Sequence, residues 1–240
     1  MTDLLKNLLQ NNPGRFVDVG MNIGQTTLLK VKAIDSNRPY TGFEPNNFCA
    51  YYVRKLAEAN HFPGVDIFPA GLYTEQKMLT LFMDNDVSSG ASILPLFRKN
   101  MAPYQLHTNV PLTTGDEILQ RYLNEDIAVF KADVEGAELE VIKGSIQTIR
   151  EKQPFIILEI LPVYSEADDN GMYRKNRQDE LLTLLKSAGY KLYRIIEVQL
   201  ALQELTSIAT HGDMHQTNYL FVPHAKQKLL QKFTIPVLPV

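Results

Sequence analysis

A short segment near the start of the chain, Asp18–Gly24 (DVGMNIG), combines a carboxylate with two glycines. Gly20 and Gly24 allow the backbone to turn tightly and to approach a bound molecule, because they carry no side chain. Asn22 belongs to the non-glycine residue types that best tolerate a positive φ. The spacing matches neither G-x-G-x-x-G nor the P-loop pattern, so the segment differs from the known dinucleotide and phosphate loops.

A second carboxylate, Glu44, follows the next apolar run, 24 positions after Gly20. An acid at this place in an open α/β sheet can accept both hydroxyls of a ribose. The negative charge of Asp18 would repel a pyrophosphate and suit a cationic sulfonium. The two acids therefore favour S-adenosylmethionine over NAD as a nucleoside ligand, while the alternative is that Asp18 and Glu44 cap helix N-termini.

Apolar runs alternate with helical patterns along the chain, which predicts an α/β fold with a doubly wound, mostly parallel sheet. A helix is predicted from Ala137 to about Arg150. The last two runs have no helical pattern between them, so we expect one antiparallel strand near the C-terminus. The seven predicted strands are Arg15–Val19, Tyr40–Phe43, Val65–Phe68, Ala128–Ala132, Phe155–Glu159, Leu192–Ile196 and Asn218–Val222.

We expect one domain over residues 1–240, with a core at about 15–223 and a C-terminal tail at 224–240. A long insertion at about 70–125 separates the third and fourth strands. It contains a predicted extra strand, Lys77–Met83, and then a polar passage, Asp84–Ser92. Insertions of this length in compact domains are usually functional, so we expect a contribution to a cleft or a lid.

The chain resembles the FkbM-type methyltransferases, which depend on S-adenosylmethionine. Its most specific motif is the Asp-Val-Glu-Gly-Ala-Glu run within Phe130–Gly144. The resemblance spans roughly residues 15 to 223 in the right order. The other matching segments are Phe16–Gln25, Gly42–Pro45, Ile157–Glu159 and Asn218–Phe221.

This resemblance implies a seven-stranded Rossmann-like sheet and methyl transfer, usually to a hydroxyl of a sugar, glycolipid or polyketide-type molecule. By motif position, Glu44 would hold the ribose, and Gly71 and Leu72 would lie near the adenine. The passage Asp84–Ser92 would close over the cofactor. The residues implied around the methionine part are Asp18, Gly20, Asn22 and Gly24.

Methyl transfer to a hydroxyl benefits from a positioned base, because a hydroxyl is a weak nucleophile. Asp133 ends the fourth strand, Glu135 lies two residues further on, and Glu159 ends the fifth strand. Each is a candidate to accept the proton. Asp133 and Glu159 could alternatively share a magnesium ion, since hard cations take oxygen ligands.

A net charge of −3 without a basic block argues against a nucleic-acid binder. The single cysteine, Cys49, excludes an internal disulfide and indicates a reducing compartment, so we expect a cytoplasmic protein. No apolar run is long enough to span a membrane. The expected partner is a small hydroxylated acceptor, and the apolar tail Phe233–Val240 is expected to dock on the body or on a second subunit in a homodimer.

Two other functions remain open from the sequence: a non-catalytic partner protein that binds the cofactor, and an NAD-dependent oxidoreductase. The missing third glycine and the charge of Asp18 disfavour the oxidoreductase. His211 and His215 have the spacing of a metal pair, but Gly212 disfavours a helix and no glutamate follows His211. We expect them in a surface loop before the last strand, where one histidine can touch substrate.

Overall fold

The computed structural model describes residues 2–10, 12–94, 104–197, 199 and 201–235. Residues 95–103 of the predicted insertion and 236–240 of the predicted tail therefore lie outside the described part. A central sheet has the strand order β12-β10-β9-β11-β8-β7-β1-β2-β3. Its strands are β1 (Arg15–Val19), β2 (Tyr40–Phe43), β3 (Val65–Phe68), β7 (Ile127–Ala132), β8 (Phe155–Glu159), β9 (Tyr190–Ile196), β10 (Ala201–Leu205), β11 (Asn218–Pro223) and β12 (Thr234–Ile235).

Five neighbouring strands from β3 to β8 run parallel, and antiparallel pairing begins at β11. β11 is antiparallel to both β8 and β9, and β10 is antiparallel to β9. β1 and β7 are apolar apart from a few positions and almost wholly buried, as expected for central strands that are covered on both faces.

Two hydrophobic clusters lie on the sheet, each with its own set of helices. Helices α1 (Thr2–Gln10), α2 (Leu28–Ile34) and α3 (Asn47–Ala59) contribute leucines, valines and alanines to one cluster. Helices α4 (Glu138–Lys143), α5 (Ile146–Lys152) and α6 (Asp169–Ser187) contribute to the other. An α/β fold with a mostly parallel central sheet and some antiparallel strands is thus confirmed.

Two details of the predicted sheet are wrong. All seven predicted strands form, but β10 and the two-residue β12 extend the sheet beyond β9, so it has nine strands. Three strands rather than one run against the others, because β12 pairs parallel with β10. β12 has only two residues, and β10 has two polar residues among its five, so neither shows a clear strand pattern in the sequence. The start of the predicted tail thus packs on the body of the same chain.

The segment after β3 builds a small second sheet of order β4-β6-β5. Its strands are β4 (Gly71–Leu72), β5 (Lys77–Met83) and β6 (Leu106–Thr113). The predicted strand Lys77–Met83 is confirmed as β5. A helical turn of π type, Glu117–Leu123, then leads back to β7.

The helix predicted from Ala137 to about Arg150 is divided into α4 and α5 at Gly144 and Ser145. Asp116 explains the new helix start, because its carboxylate accepts the backbone N–H groups of Gln147 and Thr148 at 3.1 and 2.8 Å. This contact comes from the predicted insertion and cannot be inferred from the sequence around the helix. Within the described residues, none of the helices has the length and apolarity needed to cross a membrane.

Helix α1 is anchored by buried leucines, so its packing can be tested directly. Leu8 is 1% exposed within the cluster that covers β7. We expect Leu8→Ala to lower the free energy of unfolding by about 2–5 kcal/mol, because it leaves a cavity. Urea unfolding should measure this loss, and the exposed neighbour Lys6 provides a control, Lys6→Ala, expected to change it by less than about 0.5 kcal/mol. Equal effects of the two variants would contradict the packing.

Candidate active site

A cleft opens where the carboxyl ends of β1, β2 and β7 meet. From β1 the chain continues to β2 on one side of the sheet, whereas from β7 it continues to β8 on the other side. The boundary between β1 and β7 is therefore a topological switch point, which is where open α/β sheets bind ligands. The cleft encloses about 590 Å³, including the space at its mouth. Residues of this cleft from the predicted set are Gly20, Asn22, Glu44, Gly71, Leu72, Asp133 and Glu135.

The turn after β1 is held against the end of β7. Gly20 has a φ of 77°, and a Cβ at this position would lie 2.0 Å from the carbonyl oxygen of Asp133. Only glycine therefore fits here without moving β7. Asn22 has a φ of 48°, as predicted from its residue type. Gly24 has a φ of 72° and completes the turn against Val53, outside the cleft lining.

Glu44 organises the same turn through both carboxylate oxygens. One oxygen accepts the backbone N–H of Asn22 at 2.9 Å, and the other accepts that of Asn46 at 2.9 Å. Burial raises the pKa of Glu44 to about 7, against the opposing effect of these two donors. Helix α3 is capped by Asn46, whose side chain accepts the N–H of Phe48, so Glu44 supports the cap rather than forming it.

Asp18 does not line the cleft; it is fully buried beneath the turn. Its carboxylate accepts hydrogen bonds from the Tyr40 hydroxyl at 2.6 Å and from Lys131 Nζ at 3.3 Å. The positive charge of Lys131 balances the negative charge of the Asp18 carboxylate. The sequence-based argument that Asp18 attracts a cationic ligand therefore loses its support, and a place for Asp18 around the methionine part stays a prediction.

Lys131 links the buried Asp18 to Asp133 in the cleft. Its Nζ lies 3.3 Å from Asp18 and 3.5 Å from Asp133. These charges raise the pKa of Lys131 although burial opposes them, so the side chain stays an ammonium. Lys131 was not among the predicted site residues. Its position in the sequence does suggest a special role, because Lys131 is the one charged residue in an otherwise apolar strand. In the sheet it pairs in register with Asp18.

Asp133 and Glu159 form a carboxyl pair at the ends of β7 and β8. The two groups lie within hydrogen-bonding reach of each other. Burial, and then the charge of Asp133, raise the pKa of Glu159 to about 7. The hydroxyl of Thr217 donates to Glu159 at 3.1 Å. The Glu159 carboxyl group therefore takes up a proton more readily than an exposed glutamate does.

The Asp-Val-Glu-Gly-Ala-Glu run folds into a turn that its own acids hold in place. Glu135 has a φ of 54°. Glu138 accepts the backbone N–H groups of Val134 and Gly136 at 3.3 and 3.1 Å. Arg177 from α6 donates to the Gly136 carbonyl and pairs with Glu140. Glu138 thus shapes the rim of the cleft, beyond the helix-start role that its position suggests.

The polar passage Asp84–Ser92 covers the cleft and is tied to three strand ends. Asn22 Nδ2 donates to the Ser88 carbonyl at 3.2 Å, and Asn46 Nδ2 donates to that of Asp86 at 2.8 Å. The Ser92 hydroxyl donates to the carbonyl of Glu135 at 2.9 Å. Beneath this cover, the cleft is apolar around Leu72, and the lining residues there include Leu81, Ile93 and Leu112.

Glu159 lines a second cavity on the other side of the Asp133 carboxylate, together with His215 and Thr217. His211 lies nearby, with its ring 3.4 Å from the Tyr219 hydroxyl. Both histidines lie outside any α-helix, in the segment before β11. Among the described residues, no group of three or more His, Cys, Asp or Glu could hold a metal ion, so magnesium gains no support.

Comparison with known proteins assigns the family. A family model described as the methyltransferase FkbM domain matches residues 18–192, nearly three-quarters of the chain. The chain belongs to the FkbM methyltransferase family. This assignment leaves the NAD-dependent oxidoreductase without support. A comparison with curated proteins found no match.

One solved methyltransferase shares the fold at low identity, and two others align with lower structural similarity. Methyltransferase FkbM from Methylobacillus flagellatus KT is 14% identical with a TM-score of 0.51, and 87% of this chain aligns with 43% of that longer chain. Precorrin-6y C5,15-methyltransferase from Geobacter metallireducens GS-15 is 10% identical with a TM-score of 0.45, covering 91% and 83% of the two chains. A SAM-dependent O-methyltransferase from Thermotoga maritima is 11% identical with a TM-score of 0.40, covering 92% and 63%.

The buried acid of the FkbM turn, Glu138, makes stability depend on pH. Burial raises its pKa to about 8, so the folded chain binds more protons than the unfolded chain between about pH 5 and 8. Its contribution to stability is therefore lost as pH rises through 8. Glu138→Gln keeps an acceptor oxygen for Gly136 and removes the titration. As the pH rises from 6 to 9, we expect the free energy of unfolding of Glu138→Gln to gain about 2–4 kcal/mol relative to that of wild type.

Urea unfolding at both pH values should measure this difference. The matched control is Glu58→Gln, which changes an exposed carboxylate on α3. Its unfolding free energy should follow the wild-type pH dependence. Parallel pH curves for Glu138→Gln and wild type would show that Glu138 is ordinarily ionised in the folded protein.

Proposed function

We propose that this chain is an S-adenosylmethionine-dependent O-methyltransferase that acts on a hydroxyl of a sugar, glycolipid or polyketide-type small molecule. The observation that carries the proposal is the position of the Asp133–Glu159 carboxyl pair beside the glycine turn and Glu44, on one edge of the sheet. Family membership supports methyl transfer, and the carboxyl pair supports an acceptor that must lose a proton.

The cleft suits an adenosyl ligand at both ends. Glu44 lies at the carboxyl end of β2, where an acid can accept ribose hydroxyls, and Gly20 lines the same cleft. The apolar wall at Gly71 and Leu72 suits an adenine ring. The cover Asp84–Ser92 would exclude water from the bound ligand.

S-Adenosylmethionine, when bound, supplies a methyl group on a positively charged sulfur. Asp133 lines the cleft and accepts the proton from the acceptor hydroxyl as the new C–O bond forms. Lys131 contacts the Asp133 carboxylate at 3.5 Å and so helps to fix its position. Glu159 supports the pair by retaining its own proton, because burial raises its pKa. Glu135 is a second candidate base, at the rim of the cleft.

The proposed base can be tested without disturbing cofactor binding. Asp133→Asn keeps the size of the side chain and removes its basicity. We expect transfer of labelled methyl groups from S-adenosylmethionine to hydroxylated acceptors to fall by about 10²–10⁴-fold. The affinity for S-adenosylhomocysteine should stay within about threefold of wild type, since Asp133 acts on the acceptor.

Asp169→Asn provides the matched control, because it makes the same change at an exposed position in α6. Its transfer rate should equal that of wild type. Full activity in Asp133→Asn would contradict Asp133 as the base. Binding of S-adenosylhomocysteine without transfer to any hydroxyl would favour the non-catalytic partner instead.

A further inference from the structure

The second cavity, beside Glu159, is not part of the proposed cofactor cleft. It encloses about 1,070 Å³ including its open mouth, and it is bounded by the ends of β8, β9 and β11. Glu159 places it next to the carboxyl pair. The lining is mostly polar, with Arg194, His215, Gln216, Thr217 and Asn218 among its residues.

Arg194 differs from three other arginines that are buried or partly buried. Arg15, Arg38 and Arg177 each pair with at least one carboxylate. Among the residues that the structure describes, Arg194 forms no ion pair. Its Nη2 lies 3.4 Å from the Tyr219 hydroxyl, and its Nε is buried without a hydrogen-bond acceptor. A partly buried guanidinium with one weak neutral partner retains most of its capacity to bind an anion.

The side chain that Arg194 contacts directly, Tyr219, is neutral. The Arg194 guanidinium lies 5.7 Å from the centre of the Tyr219 ring. His211 reaches the same hydroxyl, and burial together with Arg194 lowers the pKa of His211. The two acids of the cavity have other partners, because Glu159 contacts Asp133 and Thr217, while Glu197 accepts a hydrogen bond from Asn218.

We propose that this cavity is the acceptor subsite and that Arg194 binds a carboxylate or phosphate group of the acceptor. The inference rests on the proposed methyl transfer and adds the class of substrate, a hydroxylated molecule that carries an anion. Arg194 on β9 is separated from β8 by β11, so the two backbones lie roughly 10 Å apart, two strand spacings. The anion and the methylated hydroxyl therefore sit at opposite ends of a sugar-sized molecule.

One side chain between these ends suits hydroxyl groups. Asn218 lies at the start of β11, between Arg194 and Glu159, and lines the cavity. Its amide can exchange hydrogen bonds with a polyhydroxylated ring, whereas the buried Thr217 hydroxyl already donates to Glu159. An acceptor bound in this way would present one hydroxyl toward the carboxyl pair.

The test is a titration of ¹⁵N-labelled protein saturated with S-adenosylhomocysteine, using D-glucuronate, D-glucose 6-phosphate and neutral D-glucose as probes. Amide shifts of Ile195, Thr217 and Asn218 report on the cavity. We expect at least one anionic probe to bind at least tenfold more tightly than glucose. Arg194→Met should remove that difference, and Arg194→Lys should retain part of it, because the charge remains.

Arg150→Met is the matched control, since it removes an exposed arginine at the end of α5. It should bind the probes like wild type. Glucuronate and glucose 6-phosphate distinguish a carboxylate from a phosphate. The proposal is overturned by equal affinity for all three sugars, by no binding of any, or by tight anion binding that survives in Arg194→Met. Failure to bind S-adenosylhomocysteine itself would instead contradict the proposed function.

Discussion

The arrangement of the site depends on one buried cation, Lys131, placed between two carboxylates. Asp18 has no exposed surface and would be costly to bury without a compensating charge. Lys131 supplies that charge and also reaches Asp133, which joins β1 to β7 at the point where the cleft opens. Removing one partner from a buried pair typically costs about 3–5 kcal/mol. The same contact therefore stabilises the sheet centre and orients the proposed base.

Much of the central sheet could be predicted from the sequence, because buried strands read as apolar runs. The strands around the switch point were found, and with them the edge that carries Glu44 and Asp133. The added strands β10 and β12 were missed because β12 has only two residues and β10 has no clear strand pattern. The division of α4 from α5 depends on Asp116, 30 residues before α5 begins at Ile146, and local patterning cannot show such a contact.

The site was predicted in outline and not in its connections. Residue types indicated a tight turn at Gly20 and Asn22, and their backbone angles agree. Charge alone did not reveal what balances Asp18, since its pairing with Lys131 becomes evident only when two strands are aligned in register. The role of Glu138 in holding the Val134 and Gly136 amides depends on the folded turn. The sequence did not determine the pairwise contacts between distant segments.

The central claim is that the cleft at the ends of β1 and β2 binds an adenosyl ligand through Glu44. Calorimetric titration with S-adenosylhomocysteine, with NAD in parallel, tests it most directly. We expect the wild-type protein to bind S-adenosylhomocysteine at micromolar concentration and not to bind NAD. Glu44→Ala should bind S-adenosylhomocysteine at least tenfold more weakly, whereas the exposed control Glu58→Ala should bind it like wild type. Binding of NAD alone, or an affinity for S-adenosylhomocysteine that survives in Glu44→Ala, would contradict it.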